Sequence, residues 1–343
     1  LRIARIHSKT GKHKEAIEAY EKTVALDPTI AIAWKELGEE YYLDRQYTKV
    51  KACFDKYSEL NAEDKAARLV PAITLYQIGD FEGAIAESNS IVAEEPNNFV
   101  AWRIKYFADY DLGDSLRKID PAKSTELFND GYNASQTFWN IQDKKVIALD
   151  YPYSARLAVE AKDTAKAMFY FNLAVMNDTT SSMELYSEYA KYLYNTKKYP
   201  EAIIMYDSLI AKYEEGPLDV YFLGRSYFLI GDFVNADTTY ANFIIMQPNS
   251  PDGYLQRAKT QVRIEGSDVK GGALPYYLKY IELAEKDMEK NKKNLVDAYL
   301  YCCVYYNSID NNTDACVYLV KAKTLDPENE LIKELETVIK CAN

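Results

Sequence analysis

Histidine is almost missing from this chain: His7 and His13 are its two copies in 343 residues. They stand six apart, the wrong spacing for two metal ligands on one helical face, and no HExxH, phosphate-binding loop, GxGxxG or GxSxG pattern accompanies them. The sequence therefore points to no metal, no cofactor and no catalytic centre, and His13 reads as a packing residue at a helix turn. Carboxylates are plentiful, at 52, but sequence alone pairs none of them for acid and base work.

Long apolar runs are also lacking. The longest, such as Val220 to Leu223 and Phe243 to Met246, fall far short of the roughly 20 residues that span a bilayer. Glycine (13) and proline (11) are too sparse for a low-complexity chain, so an ordered protein is expected throughout. Cations are outnumbered, 41 against 52, and the net charge of −11 works against nucleic acid or an anionic membrane as partner. Cysteine is scarce and odd in number: Cys53, Cys302, Cys303, Cys316 and Cys341 leave at least one unpaired and form no CxxC pattern. Four of the five fall where small packing residues belong, which predicts free structural thiols.

What is present is a block that returns every 34 residues. Gly79, Asp80, Phe81, Glu82, Gly83, Ala84 reappear as Gly231, Asp232, Phe233, Val234, Asn235, Ala236, and the same slot holds Tyr199 to Ile203 and Gly11 to Ile17. A period of this length signals helix pairs that each fail to bury an apolar face alone and so must stack. Aligned on their small alanine, units start near Ala31, Lys65, Phe99, Ala148, Met183, Pro217, Pro251 and Val296, with a partial unit before Ala31. Small residues at Gly38, Ala84, Ala202, Gly224 and Ala236 let helices approach, and Trp34, Phe54, Tyr206 and Tyr240 fill the gaps beside them. Pro28, Pro96, Pro248 and Pro327 each stop a helix.

The unit from Ala31 reads Trp34, Leu37, Gly38, Tyr41, and the unit from Pro217 reads Val220, Leu223, Gly224, Tyr227, Ala236, Tyr240, Phe243, Pro248. This pattern resembles the tetratricopeptide repeat, over nearly the whole chain, with Leu26, Asp27, Pro28 and Leu325, Asp326, Pro327 supplying that family's closing turn. The resemblance implies an all-α, right-handed superhelical solenoid of about eight to nine antiparallel helix-turn-helix units with a C-terminal capping helix.

Two breaks interrupt the spacing. Phe99 to Ala148 is 15 residues too long, and the surplus is placed in a turn around Gly113 to Asp120 and a linker around Trp139 to Lys145. Pro251 to Val296 is 11 too long, which predicts a loop from Glu265 to Gly272 and a second helix running to about Lys292. The first break suggests an N-terminal lobe over 1–147, including the irregular unit, and a C-terminal lobe over 148–343, with its own irregular unit at 251–295 and a cap at 328–341. In that cap Leu331, Leu335, Val338 and Ile339 share one side, which predicts a natural C-terminal end. Leu1 stands already inside an apolar helical pattern, so sequence upstream is expected.

In tetratricopeptide arrays the first helix of each unit lines a concave groove, and the resemblance makes its second, fifth, ninth and twelfth places the groove places. Down the twelfth run Tyr42, Tyr76 and Tyr110, then Tyr194 and Phe228; Tyr221 adds an aromatic at the fifth. Down the ninth run Glu39, Ile73 and Phe107, then Arg156, Lys191, Arg225 and Lys259, so the column turns basic midway. These residues form the expected site for a protein or peptide partner, either an acidic or a C-terminal carboxylate segment, in a non-catalytic scaffold. The family's carboxylate clamp for chaperone tails is not matched: Lys35 agrees, but Glu39, Val70, Val100 and Ile104 do not. Carbohydrate or small-ligand capture by the aromatic ladder, service as the docking arm of a longer protein, and self-association through exposed aromatics stay open. Tyrosine, at 31 residues, resembles in its abundance the Tyr-rich repeat proteins of Gram-negative envelopes. That likeness favours a periplasmic or envelope location over a cytoplasmic one.

Overall fold

A computed structural model describes residues 1–62, 65–177, 183–213, 216–266 and 269–341. Among these the chain is all-α, with no strand, and its helices follow one another as antiparallel pairs. The regular pairs are α1 (Arg2–Lys9) with α2 (His13–Leu26), α3 (Ala31–Leu43) with α4 (Tyr47–Leu60), and α5 (Lys65–Gln77) with α6 (Phe81–Glu94). After the longer pair α7 (Phe99–Leu116) and α8 (Pro121–Asn140) come α9 (Asp150–Glu160) with α10 (Thr164–Met176) and α11 (Met183–Asn195) with α12 (Tyr199–Lys212). Then follow α13 (Pro217–Ile230) with α14 (Phe233–Met246), α15 (Pro251–Glu265) with α16 (Leu274–Ala284), α17 (Met288–Ser308) with α18 (Asn312–Leu325), and α19 (Glu330–Val338).

The period is written into the turns. The residue that reverses the chain inside a pair has positive φ: Gly11, Arg45 and Gly79 at 34-residue intervals, then Lys162, Lys197, Gly231 and Asp310. Aspartate or asparagine then caps the second helix, as Asp80 does on Gly83 N, Asp232 on Asn235 N and Asn311 on Asp314 N. Within a pair, Gly224 leaves no room for a side chain, since an added Cβ would lie 2.8 Å from Tyr240 Cε1. Between pairs, the fourth-place aromatic ties its helix to the proline that closed the unit before. Trp34 Nε1 donates to the Pro28 carbonyl at 2.8 Å, Trp102 to Pro96 at 2.8 Å, and Tyr254 Oη to Pro248 at 3.1 Å.

The chain divides into two compact units, 1–179 and 180–343. Sequence spacing placed a boundary at 147/148, but α9 and α10 remain in the first unit because α7 reaches across to hold them. Asp150, fully buried at the start of α9, accepts from Arg103 Nε and Nη2 at 2.6 and 2.7 Å, from Tyr106 Oη at 2.6 Å and from Ile147 N at 2.7 Å.

The surplus of the first break is mostly helix rather than turn. Gly113, read from sequence as a turn residue, lies within α7, where its missing side chain admits the Phe128 ring of α8 and its carbonyl accepts from Ser124 Oγ at 2.7 Å. Trp139 likewise lies within α8, and the connection occupies residues 141–149.

The second break also differs from expectation. A loop does follow Glu265, with residues 267 and 268 outside the described ones, but the second helix ends at Ala284 and not near Lys292. Asp287 accepts from Lys290 N at 3.3 Å and starts a new helix at Met288, eight residues before the repeat resumes at Val296.

The cap is α19, shorter than the 328–341 span. It buries Ile332 and Ile339 with Leu335 partly in, while Leu331 and Val338 face outward. Cys341 beyond it is disulfide-bonded to Cys316 of α18, so two of the five cysteines are not free thiols. The other three are buried, and burial pushes Cys53 and Cys302 up to about 12 and Cys303 up to about 11. His13 is also more than a packing residue: its Nδ1 lies 2.9 Å from Oε2 of the buried Glu40.

Candidate functional site

First helices of successive pairs lie beside one another within each unit, and side chains three and four apart on them line one face. The predicted residues fall into two groups, one per unit.

In the first unit Tyr76 of α5, Tyr110 of α7 and Arg156 of α9 meet around Tyr153. Tyr153 stacks on Phe107 with ring centres 4.0 Å apart, and Tyr110 meets Tyr153 edge-on at 5.5 Å. Asp111 ties the group together, accepting from Tyr76 Oη at 2.8 Å and from Tyr153 Oη at 3.0 Å, and the two hydroxyls lie 3.1 Å apart. Burial raises the Asp111 carboxyl above its ordinary range, against the two tyrosine bonds and the charge of Arg156. Arg156 stands over the Tyr110 ring at 6.0 Å. Tyr42 packs against the core of the first two pairs.

In the second unit a continuous row forms. Arg225 of α13 lies over two rings, Tyr194 of α11 at 5.9 Å and Tyr221 of its own helix at 6.0 Å. Lys259 of α15 comes next, half-buried, and donates to Asn294 Oδ1 of α17 at 3.0 Å. Burial, with the charges of Lys293 and Arg225 against that of Asp297, holds the Lys259 ammonium below its ordinary range. Among the described residues neither Arg225 nor Lys259 forms an ion pair. Lys191 is exposed on α11.

Twelfth-place aromatics have a second duty. Tyr76 meets Phe81 at 5.7 Å, Tyr194 meets Tyr199 at 5.7 Å and Phe228 meets Phe233 at 5.4 Å, each across the turn of its own pair. Phe228 makes its ring contact there and not with the row. Tyr221 also leans on Phe243 at 5.4 Å, so part of its ring belongs to the core.

Column reading missed Tyr153, Asp111, Lys293 and Asn294. Tyr153 and Asp111 sit at the sixth and thirteenth places, off the groove columns. Lys293 and Asn294 precede Val296, in turns of α17 that the repeat does not contain. The Asp287 capping signal ahead of a helical pattern could have located that earlier start.

Among the described residues no group of three or more His, Cys, Asp or Glu side chains could hold a metal, and no helix is long and apolar enough to cross a membrane.

Residues 1–30 match the family model for the tetratricopeptide repeat. Among solved structures, the C-terminal part of a TPR repeat-containing protein from Cytophaga hutchinsonii is similar at a TM-score of 0.58 and 24% identity, covering 77% of this chain and 97% of that one. YrrB, described as a TPR protein with an unusual peptide-binding site, is similar at a TM-score of 0.44 and 19% identity, over 62% of this chain and 99% of that one. Among curated proteins, Superkiller complex protein 3 of Mus musculus is 30% identical over 92 residues, and that of Homo sapiens 28% identical over 95. Those matches span 27% and 28% of this chain but 6% of each relative, a small fraction of their length.

Proposed function

We propose that this chain, which has the tetratricopeptide-repeat fold, is a non-catalytic scaffold whose first-helix faces hold a segment of a partner protein. The observation that carries the reading is the row in the second unit. Arg225 is held between Tyr194 and Tyr221 with Lys259 beyond it, and among the described residues no carboxylate pairs with either cation. Aromatic rings give contact area at low entropy cost, and cations outside an ion pair orient an acidic or C-terminal segment. The first unit offers a contrasting surface, since Asp111 there already accepts from Tyr76 and Tyr153. The Cys316–Cys341 disulfide favours an oxidising compartment, consistent with a periplasmic or envelope location.

Charge reversal tests the reading. Arg225→Glu with Lys259→Glu should abolish capture of the native partner from an extract of the source cell, while Lys333→Glu on the cap leaves it intact. Equal capture by the double variant removes the row from the function.

A further inference from the structure

The Cys316–Cys341 disulfide ties the segment that follows α19 back to α18, across a sequence separation of 25. Apart from that bond the cap is lightly held. α19 has nine residues, fewer than a helix needs to stand alone in water, so it depends on what it packs against. It sinks Ile332 into the core, with Leu335 partly in and Ile339 buried just beyond it, while Leu331 and Val338 face outward. Its polar ties to α18 are exposed: Lys323 Nζ meets Glu336 Oε1 at 2.6 Å, and Asn312 Nδ2 donates to the Lys340 carbonyl at 3.2 Å. Exposed ties of this kind add little. The packing is also incomplete, because a cavity of about 600 Å³ is lined by Leu319, Val320 and Lys323 of α18 together with Glu336, Ile339 and Cys341 of the cap segment. Side chains that face a void forfeit the contacts that would hold the cap unaided.

Both cysteines of the bond are half-exposed, whereas Cys53, Cys302 and Cys303 are buried. Cys302 and Cys303 belong to the same core as the cap, but burial pushes them up to about 12 and about 11, so they carry little thiolate to attack the bond from within. A reductant in solution has the access they lack. A disulfide across a loosely packed segment is readily reduced, since the segment moves away once the bond opens and its two thiols no longer meet at high local concentration.

We propose that Cys316–Cys341 is a redox latch: a dithiol reductant opens it, and the cap then leaves α18, baring Leu319 and the seats of Ile332 and Ile339. One thiolate of the reductant attacks a sulfur of the pair, forming a mixed disulfide as the S–S bond breaks, and the other cysteine leaves as a thiolate that takes a proton from water. The second thiol of the reductant then displaces the remaining cysteine. The reductant ends as a disulfide, and two electrons and two protons have passed to Cys316 and Cys341.

Amide exchange of the whole chain, with and without dithiothreitol, tests the latch, with mass spectrometry reporting the state of the bond in each sample. Opening the bond should speed exchange over residues 331–339 on the order of a hundredfold and leave α13 and α14 unchanged. Cys316→Ser and Cys341→Ser should show the same fast exchange with no reductant present. If the reduced protein exchanges over 331–339 at the oxidised rate, the bond does not hold the cap and the latch is refuted. If exchange rises throughout α13 to α18, the bond is a staple of the fold and not a latch. A bond that survives dithiothreitol while the protein stays folded overturns the proposal as well.

Discussion

Among the described residues seven turns within helix pairs place one residue in the left-handed region, and glycine supplies it at Gly11, Gly79 and Gly231, while Arg45, Lys162, Lys197 and Asp310 adopt it with a side chain. A Cβ there crowds the following carbonyl, a cost of roughly 1–2 kcal/mol that glycine avoids, partly offset by its larger loss of backbone freedom. Lys197→Gly should therefore stabilise the protein by up to about 1 kcal/mol, and Gly231→Ala should destabilise it by about the same amount. Nothing lies within 4 Å of a Cβ built at Gly231, so the backbone alone sets that value. Denaturant midpoints at unchanged slope measure both; a neutral Gly231→Ala would show that the turn does not depend on its left-handed residue. Residue roles were legible where they repeat: Ala84, Ala202 and Ala236 are fully buried, as their small-residue slots require. They were not legible where a polar atom finds a partner across the fold, as with His13 on Glu40 or Cys316 on Cys341. No local pattern encodes such pairings.

At the scale of elements, the irregular pair is held by chemistry the repeat lacks. Arg103 grips Asp150 with two nitrogens, and both groups are out of water, Arg103 at 12% and Asp150 at 0% side-chain exposure. Removing one partner strands the other charge in the interior. Asp150→Ala should cost about 3–5 kcal/mol and loosen residues 141–149, seen as faster amide exchange there. If exchange in that stretch is unchanged, the connection is held by something other than Asp150. Helix pairs and their order could be read from the 34-residue period, since small and aromatic residues recur in step with packing. The lengths of α7, α8 and α17 could not, because a glycine in a helix–helix contact and a glycine in a turn look alike in sequence, and Gly113 was the former.

Over the whole molecule, the period builds the frame, and the departures from it shape the surfaces. Asp111 of α7 meets Tyr153 of α9 in the first unit, and the early start of α17 brings Asn294 to Lys259 in the second. The basic column expected over Arg156, Lys191, Arg225 and Lys259 thus resolves into two surfaces of different chemistry. In the second, Arg225 and Lys259 form no ion pair among the described residues. The central claim is that a partner segment lies on this row. It is tested most directly by placing the photoreactive p-benzoylphenylalanine at Tyr194 or, on the exposed face of α14, at Ile245, and irradiating each variant with the native partner. Adducts from position 194 and none from 245 are predicted; adducts from 245 with none from 194 would contradict the account.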